Sequence, residues 1–166
     1  MVAIEWCRTS GHADKLASFF AANVTPEFVS HAELQTGRAI STTEWSPGLK
    51  DILKREIEQR LSETESLKRV AVVHEENDLI GIAYVSFNFD APAPFAILED
   101  MVVRNDKRGM GIGRAFLHWI LERVKETGAR RVFLESGKAN HSAHHFFERD
   151  GMFRPISVVM MAELTD

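Results

Sequence analysis

Three glycines within five residues, Gly109, Gly111 and Gly113, separate a β-rich run from a long amphipathic segment. The run before them, Phe95–Val103, is apolar and rich in strand-forming residues. After them, apolar residues recur every three or four positions up to Thr127, which predicts a helix. Glycine tolerates positive φ angles, so such a turn can aim several backbone N–H groups at one spot. Together with the positive end of the helix dipole, this turn predicts a pyrophosphate site.

The residues around the glycines narrow the class of ligand. Lys107, Arg108 and Arg114 add positive charge on both sides of the turn. A nucleotide-binding loop of the Walker type needs Lys and then Ser or Thr after its last glycine, whereas Arg114-Ala115 follows here. A dinucleotide fold needs the spacing Gly-x-Gly-x-x-Gly near the start of a βαβ unit, and this motif is Gly-x-Gly-x-Gly at mid-chain. Both alternatives are therefore disfavoured.

The rest of the chain alternates β-rich and helical segments. Further strands are predicted at Val2–Cys7, Arg69–His74, Leu79–Phe89, Arg131–Glu135 and Ile156–Leu164, and further helices at Ala13–Asn23, from Pro47 to Leu61 and from Asn140 to Gly151. In the second of these helices, the spacing of Glu56 and Arg60 predicts an ion pair on the solvent-facing side. The order of elements predicts a mixed sheet with helices on its faces.

Composition excludes several functional classes. Asp and Glu outnumber Lys and Arg by 24 to 20, so the formal charge is −4, which argues against a nucleic-acid partner. The single Cys7 excludes an intrachain disulfide and suggests a reducing compartment. No run of about 18 apolar residues is present, so we expect no membrane partner. Without a visible signal sequence, the expectation is a cytoplasmic protein.

Two motifs together resemble one protein family. Arg108-Gly109-Met110-Gly111-Ile112-Gly113, after an acidic strand, resembles the Gln/Arg-x-x-Gly-x-Gly/Ala motif of the GCN5-related N-acetyltransferases, the GNAT superfamily. Downstream, the segment from Asn140 to Phe153 resembles that family's Asn-x-x-Ala-x-x-Phe-Tyr-Glu-x-x-Gly-Phe element. The resemblance covers residues 67–164 closely and the earlier part by element order only.

The resemblance implies a single α/β (α+β) domain over residues 1–166. Its central sheet would be mixed, mostly antiparallel, with six to seven strands and about four helices on both faces. Residues 1–66 would form the acceptor side and residues 67–164 the acetyl-CoA-binding core. The implied activity is transfer of an acetyl group from acetyl-CoA to a primary amine of a small molecule or peptide, by direct attack in a ternary complex. Homodimers are common in the superfamily, but no residue here decides the oligomeric state.

The resemblance also implies a set of cofactor contacts. Backbone groups of Met101 and Val103 would pair with the pantetheine arm, amides across the glycine turn would hold the pyrophosphate, and Asn140 would bind pantetheine or its neighbouring backbone. The full set of implied cofactor-binding residues is Met101, Val102, Val103, Arg108, Gly109, Met110, Gly111, Ile112, Gly113, Arg114, Asn140 and Phe147.

Acyl transfer to an amine needs a neutral amine, and an alkylamine is neutral only about once in 10³ molecules at pH 7. A carboxylate beside the thioester can accept the proton, directly or through water. Glu99 and Asp100 are adjacent on a strand and are expected on opposite faces, so either is a candidate base, with Glu99 favoured. A salt bridge from either carboxylate to a neighbouring helix is the alternative. The N–H of Val103 is the candidate oxyanion donor.

The family's usual tyrosine acid is replaced by Phe147, so water or His144 would have to protonate the departing thiolate. His31 and Glu33 lie in the region that shapes the acceptor pocket in this superfamily and are candidate substrate contacts. His144 is a third candidate substrate contact. His141 and His145 are four residues apart, but no Glu follows His141 and no third ligand is evident, so no metal is expected. Because the tyrosine is missing, a non-catalytic acyl-CoA-binding regulatory module is the alternative function.

Overall fold

A computed structural model describes residues 1–62, 67–149 and 152–164. The chain separates into two compact units, one built from Met1–Val24 with Pro47–Glu135 and the other from Thr25–Ser46 with Ser136–Asp166. No helix among the described residues has both the length and the apolar character needed to cross a bilayer.

The first unit is built around a five-stranded sheet. In chain order its strands are β1 (Val2–Trp6), β4 (Lys68–Glu75), β5 (Asp78–Asn88), β6 (Phe95–Val103) and β7 (Arg131–Leu134), and its helices are α1 (Ala13–Asn23), α3 (Leu49–Ser62) and α4 (Ile112–Glu126). The strands lie in the order β1-β4-β5-β6-β7. All neighbours are antiparallel except β6 and β7, which are parallel. The sheet is therefore mixed and mostly antiparallel, as predicted.

Helices cover both faces of this sheet. Phe20 of α1 stacks on Tyr84 of β5, with ring centroids 5.7 Å apart. On the same strand, a Cβ at Gly81 would lie 3.5 Å from Phe116 of α4. Residues 81 and 84 are an odd number of positions apart on an unbroken stretch of ladder and so point to opposite faces. The side chains of Phe20, Tyr84 and Phe116 are fully buried, which places the core on both sides of β5.

The second unit contains two short helices, α2 (His31–Thr36) and α5 (His141–Glu148), and a two-stranded sheet of β2 (Ala39–Ser41) and β3 (Glu44–Trp45). The predicted end of α5 at Gly151 lies outside the described residues.

The prediction of six to seven strands was too high for the central sheet. β2 and β3 pair only with each other, and the predicted last strand, Ile156–Leu164, has no regular secondary structure. Its side chains are exposed, with Val158 at 86% and Met160 at 91%. A strand exists only when its backbone pairs with a neighbour, and the β-forming composition of this segment supplied no information about such a neighbour.

Candidate functional site

β6 and β7 are paired over only part of their length. Their parallel register runs from Phe95 opposite Arg131 to Leu98 opposite Leu134. β7 ends there, whereas β6 continues to Val103. From residue 99 to residue 103, the described part of the chain therefore provides no strand on that side of β6. The sheet opens between two parallel strands at this point.

The backbone of β6 presents hydrogen-bonding groups to this opening. The N–H of Arg104 donates to the Ile80 carbonyl of β5, with N and O 2.9 Å apart. Along an antiparallel ladder, alternate residues direct their N–H and C=O to the same neighbour. The backbone N–H and C=O groups of Met101 and Val103 therefore point away from β5 and toward the opening, whereas those of Val102 point to β5. Val102 is also 1% exposed, so the geometry assigns it to the sheet rather than to the opening.

Glu99 is the extra residue of a β-bulge. Tyr84 of β5 lies opposite Asp100, but the next pair joins Val85 to Leu98, so Glu99 has no opposite residue. A bulge bends the strand and redirects a side chain. The simple alternation expected for Glu99 and Asp100 is therefore interrupted where the opening begins.

The Glu99 carboxylate is held by a buried arginine. Arg60 Nη2 of α3 donates to Glu99 Oε2. The Arg60 side chain is 8% exposed and that of Glu99 is 27% exposed. The Arg60 guanidinium also lies over the Tyr84 ring, 4.8 Å from its centroid. The salt bridge to a neighbouring helix, weighed as the alternative role for this carboxylate, is thus present.

The solvent-facing position predicted for Arg60 was wrong. The buried residues of α3 are Leu49, Leu53, Ile57 and Arg60. Their steps of four, four and three residues follow a single helix face. That spacing was visible in the sequence, but the charge of Arg60 and its distance of four residues from Glu56 favoured the exposed-pair interpretation.

Two of the three glycines in the turn adopt a positive φ angle. Gly109 and Gly111 have φ angles of 78° and 81°, a region that favours glycine. A Cβ at either position would meet no atom within 4 Å. Within the described part of the chain, the N–H groups of residues 109–113 have no hydrogen-bond partner. Because α4 begins at Ile112, these free N–H groups coincide with the positive end of its dipole.

Two of the three cations predicted to face the pyrophosphate are engaged elsewhere. Lys107 Nζ pairs with Glu75 Oε2, and this contact lowers the pKa of the Glu75 carboxyl. Arg108 Nε donates to the Val103 carbonyl at 3.1 Å, and its Nη2 donates to the Asn23 carbonyl at 2.8 Å. Burial lowers the pKa of the Arg108 guanidinium. The contacts of these two side chains brace the turn.

Asn23, which the sequence did not single out, joins the segment just before the glycine turn to α1. Its Oδ1 accepts from the N–H of Asn105 at 3.0 Å, and its Nδ2 donates to the Phe19 carbonyl at 2.8 Å. Asn23 is 8% exposed. In the sequence, Asn23 is visible only as a polar residue at the end of a predicted apolar helix. Such a residue is equally typical of an ordinary helix terminus.

In the second unit, Asn140 and Phe147 occupy opposite ends of α5. Asn140 is the N-cap residue, and its Oδ1 accepts from the N–H of Ala143 at 3.2 Å. Phe147 packs edge-on against Phe146 and Phe153, with centroid distances of 5.0 Å and 5.8 Å. The Phe147 ring therefore belongs to an aromatic cluster.

The predicted substrate contacts all lie in this second unit. Glu33 is 5% exposed. Its Oε2 accepts from Ser30 in a capping box, and its Oε1 lies 3.8 Å from Arg38 Nη1. Both oxygens of the Glu33 carboxylate thus contact nearby residues of the second unit. His31 begins α2, and the His144 ring lies 5.9 Å from that of His141.

Cys7 does not have the surroundings of a reactive nucleophile. Burial raises the pKa of its thiol, whereas a nucleophilic cysteine needs a lowered one. The described residues contain no group of three His, Cys, Asp or Glu side chains that could hold a metal ion.

Comparison with known proteins identifies the family. Residues 34–152, more than half of the chain, match the model of the acetyltransferase (GNAT) family. The chain belongs to the GNAT family. A streptothricin acetyltransferase A from Bacillus subtilis is 33% identical over 85 residues, which is 51% of this chain and 47% of that protein. The match therefore spans about half the length of the curated relative.

Solved structures share the GNAT fold over nearly the whole chain. A structure of the aminoglycoside N-acetyltransferase AAC(6')-Iy with the bisubstrate analogue CoA-S-monomethyl-acetylneamine has a TM-score of 0.72 at 14% identity, and the match covers 99% of each chain. A structure described as a transcriptional regulator from Bacillus halodurans has a TM-score of 0.71 at 19% identity, covering 98% of this chain and 100% of that one. At sequence identities this low, the similarity shows a shared fold but does not show the substrate.

Proposed function

We propose that this GNAT protein transfers an acetyl group from acetyl-CoA to a primary amine of a small, polycationic molecule of the streptothricin or aminoglycoside type. The observation that carries the proposal is the continuity along β6. One strand leads from the carboxylate of the bulged residue Glu99, past the backbone groups of Met101 and Val103 that face the opening, into a turn whose amides are unpaired in the described part of the chain. Related proteins named for acetylating such antibiotics support the substrate class.

The turn fits the diphosphate of coenzyme A. Free N–H groups across residues 109–113 and positive-φ glycines with open space beside them leave room for a phosphate to approach the backbone. We assign the diphosphate to these amides and to Arg114, and the pantetheine arm to Met101 and Val103. Asn140 and Phe147 remain proposed contacts in the second unit. When bound, acetyl-CoA supplies the activated acyl group.

The carboxylate at the opening is the proposed site of the acceptor amine. Glu99 Oε2 is committed to Arg60, and within the described residues Oε1 has no partner. Oε1 can therefore accept a hydrogen bond from the amine and take its proton, directly or through a water molecule. Asp100 is the alternative base. The Val103 N–H, which points into the opening, is the proposed donor to the oxyanion.

The proposal predicts direct transfer rather than an acyl-enzyme. Cys7, the single cysteine of the chain, has a raised pKa and lies at the end of β1, the strand at the far edge of the sheet from β7. We therefore expect initial-rate plots against both substrates to intersect, as required for a ternary complex.

The deciding experiment is acetyl transfer by the purified protein. We expect acetyl-CoA with streptothricin to release free thiol and to give a singly acetylated product by mass spectrometry. A panel of aminoglycosides, polyamines and amino acids should show lower kcat/KM. Thiol release should fall in Glu99→Gln, with partial recovery at alkaline pH where the amine is already neutral.

A non-catalytic acyl-CoA-binding module is the second candidate, and Phe147 is the observation that favours it. The family's usual hydroxyl donor is missing at that position. Tight coenzyme A binding without thiol release for any amine would establish this alternative.

A further inference from the structure

We propose that Arg60 is a positioning residue for the acetyl transfer, which locks the Glu99 side chain so that one carboxylate oxygen meets the acceptor amine. This inference rests on the proposed function and extends it to a residue outside both family motifs. Arg60 lies on α3, remote in sequence from β6.

Arg60 is buried on an apolar helix face. It completes the stripe formed by Leu53 and Ile57 and is 9% exposed. Removing a guanidinium from water carries a large desolvation cost. The structure defines two contacts of the Arg60 guanidinium that offset this cost. One is the ion pair with the Glu99 carboxylate, and the other is the Tyr84 ring, whose centroid lies 4.8 Å from Arg60 Cζ.

Stability alone does not explain an arginine at this buried position. A buried ion pair is commonly no more stabilising than apolar side chains of similar volume. The Arg60 guanidinium is also incompletely satisfied, because its Nη1 is buried without a hydrogen-bond partner in the described part of the chain. An unsatisfied buried donor adds a cost of about 1–3 kcal/mol. What Arg60 does achieve is one strong contact with Glu99.

The contact between Arg60 and Glu99 lies where the sheet opens. Glu99 is the bulged residue, and it follows directly after Leu98, the last β6 residue paired with β7. The pair thus fixes a carboxylate at the place where the sheet opens. A free glutamate samples several rotamers. Holding Oε2 removes that freedom and leaves Oε1 in one orientation for the amine.

This role has a kinetic signature that differs from a structural one. Loss of Arg60 should impair use of the amine, whose partner is Glu99. It should leave the affinity for coenzyme A unchanged, because that ligand is assigned to the amides of residues 109–113. A misplacement of about 1 Å in a reacting group costs on the order of 100-fold in rate. We expect a loss of that order in kcat/KM for the amine.

The test is a double-mutant cycle with Arg60→Met and Glu99→Gln, measured as kcat/KM for the acetylated amine. Methionine keeps the apolar stem over Tyr84 and removes the charge. If Arg60 acts through Glu99, the double variant should be no slower than Glu99→Gln alone. Arg60→Lys, which restores a cation without the planar fork, should recover part of the activity. Arg55→Met, at an exposed position on the same helix, is the matched control and should behave like the wild type.

Two outcomes would overturn the inference. Additive losses in the double variant would show that Arg60 does not act through Glu99. A loss in Arg60→Met that is accompanied by an equal loss of coenzyme A affinity and a lower Tm would show a structural role only. A wild-type protein that acetylates no amine would instead refute the proposed function, and the role of Arg60 with it.

Discussion

Replacing Gly111 with glutamate should abolish coenzyme A binding. Gly111 has a φ of 81°, a conformation that costs a residue with a Cβ about 1–3 kcal/mol. The new carboxylate would also place a negative charge among the amides proposed to hold the diphosphate. We expect a weakening of at least ~100-fold, about 2.7 kcal/mol, measured by isothermal titration with coenzyme A.

Gly111→Ala separates the two causes. The space beside Gly111 is open, because a Cβ there would meet no atom within 4 Å. Alanine therefore introduces the backbone strain without bulk or charge, and its loss of affinity should be much smaller. Equal affinities for Gly111→Glu and the wild type, with unchanged Tm, would remove the diphosphate from this turn.

Replacing Gly137 with alanine should destabilise the second unit. A Cβ at Gly137 would overlap the Glu27 carbonyl oxygen and lie 2.6 Å from that of Val29. Both obstacles are backbone atoms, so no side-chain rotation can relieve them. Overpacking of this kind typically costs roughly 1–3 kcal/mol, and a backbone clash belongs at the upper end.

Urea unfolding followed by Trp45 fluorescence measures this effect, because Trp45 lies in the second unit whereas Trp6 and Trp119 lie in the first. A Trp6→Phe/Trp119→Phe background isolates its signal. The matched control is Gly11→Ala, where the new Cβ would have only Thr9 Cγ2 nearby, at 3.9 Å. An unfolding midpoint in Gly137→Ala equal to that of this control would contradict the close approach of the two segments.

Local pattern predicted most of the elements that carry the site. The β-rich run Phe95–Val103 is the observed β6, and helix α4 follows the glycines as its apolar spacing requires. Positive φ at Gly109 and Gly111 agrees with the argument from glycine content. These features depend on interactions between neighbours in sequence, which a sequence displays directly.

Features that depend on distant partners were predicted less well. Ile156–Leu164 has a strand-like composition but no ladder. Arg60 looked like one half of an exposed pair, yet its partner is Glu99, 39 residues away. Arg108 was predicted to add positive charge beside the phosphate, and the sequence could not show that its side chain donates to the Asn23 carbonyl. In each case the residue type is visible in the sequence, but the partner is set by the tertiary structure.

The bulge at Glu99 is another feature that depends on a partner distant in sequence. Nothing in Leu98-Glu99-Asp100 distinguishes a bulged strand from a regular one, because the register shift is defined only against Tyr84 and Val85 of β5. The sequence did present two adjacent carboxylates as candidate bases. It could not show that one of them is held by a buried guanidinium at the point where β6 and β7 separate.

The most direct test of the central claim is an NMR titration of the ¹⁵N-labelled protein with coenzyme A, following the backbone amides of β6 and the turn after it. The account predicts that the largest shifts occur at Met101, Val103 and residues 109–113, whose N–H groups point into the opening or lack a partner. It predicts little change at Val102, whose N–H is used in the sheet. Binding that leaves the amides of residues 109–113 unperturbed would contradict the account.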